Sequence, residues 1–173
     1  MCRVVLFVLL FSLLLGSLAF GNDFVPYVSQ EVGFSISFPA GWEVENPPHF
    51  YHPGLIMCAH LGPTNVWVTH EYRYYPSFSS FQKRVRDDIL LFPGVNIVGE
   101  GEAKIDDFPA YFYVYTFPGE DKDMKAVLYL FARGEEFFRI ICWTPESSFE
   151  SLLPVFEHIA LSFNACRGEM DKE

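Results

Sequence analysis

At 173 residues, with 50% apolar and 18% aromatic side chains, the chain can bury one sizeable core and lacks the low hydropathy of a disordered polymer. Its formal charge of −10, from 22 acidic and 12 basic residues, excludes nucleic acid or an anionic membrane surface as the main partner, because lysine and arginine make those contacts.

Residues 1–21 read as a signal peptide. Arg3 gives a short positive region, residues 4–15 are apolar apart from Ser12, and Ala19-Phe20-Gly21 places small residues at a cleavage site. Export to a periplasmic or extracellular space follows. Retention as an anchor is the alternative, since residues 4–20 approach the ~17-residue lower limit for a membrane span. Cleavage leaves one domain over residues 22–164 and a polar, frayed tail over 165–173, with no membrane span remaining. The formal charge then becomes one unit more negative, because the removed segment carries Arg3 and no acid.

Residues 22–32 form a short lead. Phe34, Ile36 and Phe38 then alternate with Ser35 and Ser37, and the turn Pro39-Ala40-Gly41 leads to Trp42-Glu43-Val44, predicting a first hairpin with one buried face. Residues 45–54 carry three prolines and read as a loop. Two strands, 55–61 and 66–72, flank Gly62-Pro63-Thr64-Asn65. Pairing Leu61 with Val66 puts Met57, Ala59, Val68 and His70 on one face. From Pro76 a helix begins in which Phe81, Val85, Ile89 and Phe92 recur at helical spacing, and Pro93-Gly94 stops it. Residues 95–104 alternate weakly, Asp106-Asp107 marks a turn, and 110–117 is an aromatic strand.

Residues 127–132 are apolar at every position and are joined through Arg133-Gly134-Glu135 to a second run, 137–143, predicting a hairpin. A strand apolar on both sides needs both faces of its sheet covered. Trp143 is therefore expected to be buried under the last helix. Ser147 and Glu150 suggest a capping box, but Pro154 lies too deep for an undisturbed helix from there. The expected form is a short first turn, then a helix with Pro154 near its first position that ends about Phe163. The fold class is α+β, an antiparallel β-sheet with helices packed on it.

The Gly33-Phe34-Ser35-Ile36-Ser37-Phe38-Pro39 strand followed by Gly41-Trp42, the middle helix and the Ala110-Tyr111 strand carry a pattern that continues into Phe138-Arg139-Ile140, Pro154 and Leu161-Ser162-Phe163. This pattern resembles the PsbP-like domain family over residues 33–163. The resemblance implies an α/β/α sandwich around an antiparallel sheet and a non-enzymatic, extracytoplasmic accessory role.

Beside that resemblance, the residues themselves offer few sites. His49 and His52, three apart in a loop with Glu45 nearby, are the metal candidates, yet two ligands do not complete a tetrahedral site. His60 and His70 fall on opposite sheet faces. No nucleophile elbow, phosphate-binding glycine loop or His-Glu-x-x-His run is present. A Cys58 nucleophile beside His60 or His70 would need a lowered thiol pKa, which apolar Met57 and Ala59 do not supply. Cys58, Cys142 and Cys166 remain after cleavage. A Cys142 to Cys166 bridge is opposed by the ~20 Å length of the intervening helix, Cys58 can pair with either, and buried thiols at Cys58 and Cys142 are the favoured reading. Asp87-Asp88, Asp106-Asp107 and residues 120–123 read as solvated charge. Tyr72, Tyr74 and Tyr75 read as a sheet rim under the helix, with a partner-binding patch as the alternative. The expected function is that of an exported accessory module, without a cofactor, that associates with a protein of the cell envelope. The alternatives are a binder of a divalent metal ion or small ligand, and a hydrolase with an unrecognised site.

Overall fold

A computed structural model of the chain describes residues 23–30, 32–46, 54–71 and 75–165. Its strands are β1 (Phe24–Ser29), β2 (Phe34–Pro39), β3 (Glu43–Glu45), β4 (Leu55–Leu61), β5 (Thr64–Glu71), β6 (Asn96–Ile105), β7 (Phe108–Pro118), β8 (Asp123–Arg133), β9 (Glu136–Pro145) and β10 (Asn164–Ala165). Helix α1 (Phe78–Leu90) lies between β5 and β6, and α2 (Glu146–Leu161) follows β9. Seven strands form one antiparallel sheet in the order β3-β4-β5-β9-β8-β7-β6, and β1, β2 and β10 form a second, smaller sheet. The α+β class and the antiparallel sheet with helices on it are as the sequence predicts.

The β8/β9 hairpin lies near the centre of the large sheet, joined by a two-residue turn in which Gly134 adopts φ 61°. That conformation suits glycine, which lacks the Cβ that crowds the left-handed region. Alternate residues of these two strands feed two separate cores. Val127, Tyr129, Phe131, Phe138, Ile140 and Cys142 pack with α2 and with Phe34, Ile36 and Phe38 of the small sheet. Leu128, Leu130 and Phe137 pack with Phe81, Val85 and Ile89 of α1. Helix α1 starts at Ser77, whose side chain accepts the Ser80 N–H at 3.1 Å.

The structure corrects several expectations. Residues 24–29 are a strand and not a lead, paired antiparallel with β2 from Phe24↔Pro39 to Ser29↔Phe34. Strands β2 and β3 do not form a hairpin: the turn at 39–41 carries the chain from the small sheet to the large one, where β3 pairs with β4. The β4/β5 turn is two residues shorter than expected, because β5 begins at Thr64, with Leu61↔Thr64 and Ala59↔Val66. This shift of two residues keeps Met57, Ala59, Val68 and His70 on one face. Phe92 lies beyond α1 and is 68% exposed. Pro154 sits inside a continuous α2 whose N-cap is Pro145, and it is exposed to solvent. Asn164 and Ala165 pair with Ser35 and Phe34, so the expected tail contributes a strand residue; residues 166–173 lie outside the described residues. Among the described residues no helix is long and apolar enough to cross a membrane.

Candidate functional site

Helix α1 covers β8 and β7 but stops short of β5, and between them lies a groove of about 530 Å³. Trp67 of β5 and Trp143 of β9 form its wall, their rings edge to face with centroids 5.0 Å apart. Val85 and Ile89 of α1, Leu128, Ile141 and Phe117 complete the apolar lining, and Phe92 stands at the rim. Trp143 is thus half-buried and turned away from α2, against the expectation that the last helix would cover it. The reason is parity: Cys142 and Thr144 point to the α2 face, so their neighbour must point to α1.

The groove is not wholly apolar. Thr69 and Arg139 face each other across β5 and β9. Thr69 is 3% exposed, and its Oγ1 has no hydrogen-bond partner among the described residues. Arg139 forms an ion pair with Glu71, both side chains being 15% exposed, and its guanidinium lies 5.4 Å from the Phe81 ring centroid; its Nε is buried without a partner among the described residues. Glu71 also accepts the Tyr75 hydroxyl at 2.8 Å. Burial pushes the Tyr115 phenol up to about 12, against the smaller opposing pull of Arg139, so it stays protonated as a donor in the groove. Asp88, at the helix side, is held by Arg84 at 3.0 Å. The arrangement can enclose an apolar body.

Of the residues singled out from sequence, His49 and His52 lie outside the described residues, as do Tyr72, Tyr74 and Cys166. Tyr75 packs on Phe81 and Phe137, under the helix as expected. His60 and His70 do lie on opposite faces. His60 sits on the open face beside β3, with Nε2 3.6 Å from Glu43 and 4.0 Å from Glu45. One ligand atom from each of these three side chains lies within 4.8 Å of the others, a constellation that sequence reading approached only through Glu45. His70 is buried on the α2 face, stacked on Phe138 at 4.6 Å and 3.3 Å from Glu136. Lys104 pairs with Asp107 at 2.9 Å.

Cys58 and Cys142 are free thiols on opposite faces. Cys142 is fully buried, as expected, and Cys58 only half-buried. Burial, then the charge of Glu45, pushes the Cys58 thiol up, the opposite of what a nucleophile requires. Sequence reasoning missed Trp67, Thr69, Tyr115 and Arg139. The available signal was Arg139 itself, the single charge inside the apolar run 137–143.

No protein-family profile matches the sequence, and no curated protein matches it. Solved structures do. The solution structure of cyanobacterial PsbP (CyanoP) from Synechocystis is 14% identical with a TM-score of 0.64, covering 83% of this chain and 92% of that one. LpqN of Mycobacterium tuberculosis, described as involved in cell envelope biogenesis, is 9% identical with a TM-score of 0.58, covering 82% and 90%. A Pseudomonas aeruginosa protein of unknown function, described as a putative regulator, is 11% identical with a TM-score of 0.54, covering 82% and 96%. With the two-faced sheet, the small sheet and the two helices in these places, the chain has the PsbP-like fold.

Proposed function

We propose that the chain is an exported, non-enzymatic accessory module that works by binding, and that the α1-face groove holds a small apolar ligand. The observation that carries this reading is the groove's composition: two tryptophans and aliphatic side chains in a volume typical of small-molecule sites. The leader at residues 1–21 supports export, and the fold shared with an envelope-biogenesis protein supports the envelope as the place of action. The raised Cys58 thiol speaks against the hydrolase alternative.

Two of the three tryptophans line the groove, so intrinsic fluorescence reports its occupation. Titration with the neutral amphiphile monodecanoylglycerol below its aggregation threshold should change the emission saturably, and Trp143→Ala with Trp67→Phe should remove most of that change. An emission unaffected by decanoyl probes of any head group would refute the groove as a ligand site.

A second reading, binding of a divalent ion, rests on Glu43, Glu45 and His60. A carboxylate-rich set with one imidazole suits zinc or manganese. Zinc should then raise the melting temperature of the protein, and His60→Ala should abolish the rise while His49→Ala/His52→Ala keeps it. No zinc-dependent rise would remove this reading.

A further inference from the structure

Resting on the ion-binding reading, we infer that Cys58 is the fourth ligand beside Glu43, Glu45 and His60, and that the site takes a thiophilic ion of the zinc class in preference to manganese. Across β3 and β4, Glu43 stands directly opposite His60, and Glu45 directly opposite Cys58. Residues two apart on a strand share a face, so the four form the corners of a rectangle about 4.8 Å across the strands and about 7 Å along them. Val44 and Ala59, between the corners, point the other way and pack in the core. One ligand atom each from Glu43, Glu45 and His60 already lies within 4.8 Å of the other two. The Cys58 Sγ is turned toward the same strand, 3.8 Å from the Glu45 carbonyl oxygen. An ion can reach all four, since the Glu43, Glu45 and His60 side chains are 75%, 63% and 36% exposed and Cys58 is half-buried.

The donor set decides the ion. Glu43, Glu45 and His60 leave a tetrahedral ion one position short, and a thiolate in that position closes the shell, as in structural zinc sites. Thiolate is a soft donor that suits zinc, whereas manganese favours oxygen donors. Cysteine has the shortest side chain of the four, so the ion sits over the Cys58 corner and the longer glutamate and histidine side chains lean to it. Binding converts the Cys58 thiol and a divalent ion into a metal thiolate and a proton that leaves to solvent. Burial and the Glu45 charge keep the free thiol protonated, but a dication at bonding distance outweighs both and deprotonates a coordinating thiol.

The test titrates the protein, kept reduced, with cobalt(II), a spectroscopic stand-in for zinc. The wild type should show a near-ultraviolet thiolate-to-cobalt charge-transfer band together with the strong visible bands of tetrahedral cobalt, and added zinc should erase both. Cys58→Ser should lose the charge-transfer band and bind zinc about tenfold or more weakly, equivalent to about 1.4 kcal/mol, with its manganese affinity unchanged. Cobalt that binds the wild type without a charge-transfer band, a band that survives Cys58→Ser, or equal zinc affinity in wild type and Cys58→Ser would overturn the Cys58 assignment while leaving the ion reading intact. The wild-type band needs no variant, so the test stays decisive even where Cys58→Ser fails to fold. Failure of both cobalt and zinc to bind the wild type would instead remove the ion reading on which the assignment rests.

Discussion

The two faces of the seven-stranded sheet are covered unequally. Strands about 4.8 Å apart make a sheet roughly 29 Å wide, whereas the 13 residues of α1 span about 20 Å and cover a strip about 10 Å across. On the opposite face, the 16-residue α2 is joined by a three-stranded sheet, and Phe34, Phe38, Phe138, Phe156 and Phe163 are all essentially inaccessible. One face is a dry core and the other is half core, half groove. The lesson is that the side chains of a two-sided strand do not reveal how much of each face will be covered; the length and path of the covering elements decide that.

Paired deletions sharpen the comparison most strongly. Phe138→Ala on the dry face should destabilise by about 3–5 kcal/mol, because a large cavity opens among rings that stack on it. Trp143→Ala on the groove face should cost only about 1–2 kcal/mol, mainly its edge-to-face contact with Trp67. Denaturant melting measures both, and equal losses would mean that the groove is as closed as the core.

A helix that covers the dry face while carrying a proline should tighten when the proline is removed. Pro154→Ala restores the missing N–H toward the Glu150 carbonyl and should raise stability by about 1–2 kcal/mol. Destabilisation in the same melting experiment would mean that the α2 geometry depends on the ring.

The dry face should also respond to acid through His70. Burial lowers its pKa from 6.5; Glu136 and Glu71 oppose the shift and Arg133 adds to it. A base with a folded pKa below its unfolded value takes up a proton on unfolding. Its contribution is therefore constant above about pH 6.5, and stability falls as the pH drops below that value. Thermal melting on either side of pH 6.5 should show this decline, and His70→Phe should remove the His70 part of it. A wild type and variant with identical pH profiles would contradict the assignment.

The smallest effect belongs to the C-terminal end of α1. Leu91 is 76% exposed, and Leu91→Ser should change stability by less than about 0.5 kcal/mol in the same melts. A larger loss would place Leu91 in a packed core.

The parts of this fold that the sequence displays are those with a clean period. The hairpin 127–143 is apolar on both sides, α1 repeats Phe81, Val85 and Ile89, and β4 and β5 share a face whatever their register, because a slip of two preserves it. Strand β1 is hidden because Val25 and Val28 are exposed and Pro26 interrupts the alternation. The turn at 39–41 reads as a hairpin turn because local residues cannot say which sheet the chain enters next. Pro154 reads as a helix start because sequence alone does not show that its side faces solvent. The groove was illegible for a related reason: Trp67 and Thr69 of β5 are far in the chain from Arg139 and Trp143 of β9 and meet them only through strand register.

The pairing of β10 with β2 joins Asn164 to Ser35, so the small sheet closes only when nearly the whole domain has been made or released. On a chain that emerges from its N-terminus, β1 and β2 can pair early, but Phe34, Ile36 and Phe38 must wait for α2 and Phe163. Contacts across such a span slow folding and leave apolar surface open meanwhile. Truncation before Phe163 should therefore yield a chain that aggregates, whereas the β8/β9 hairpin, local in sequence, is positioned to order first.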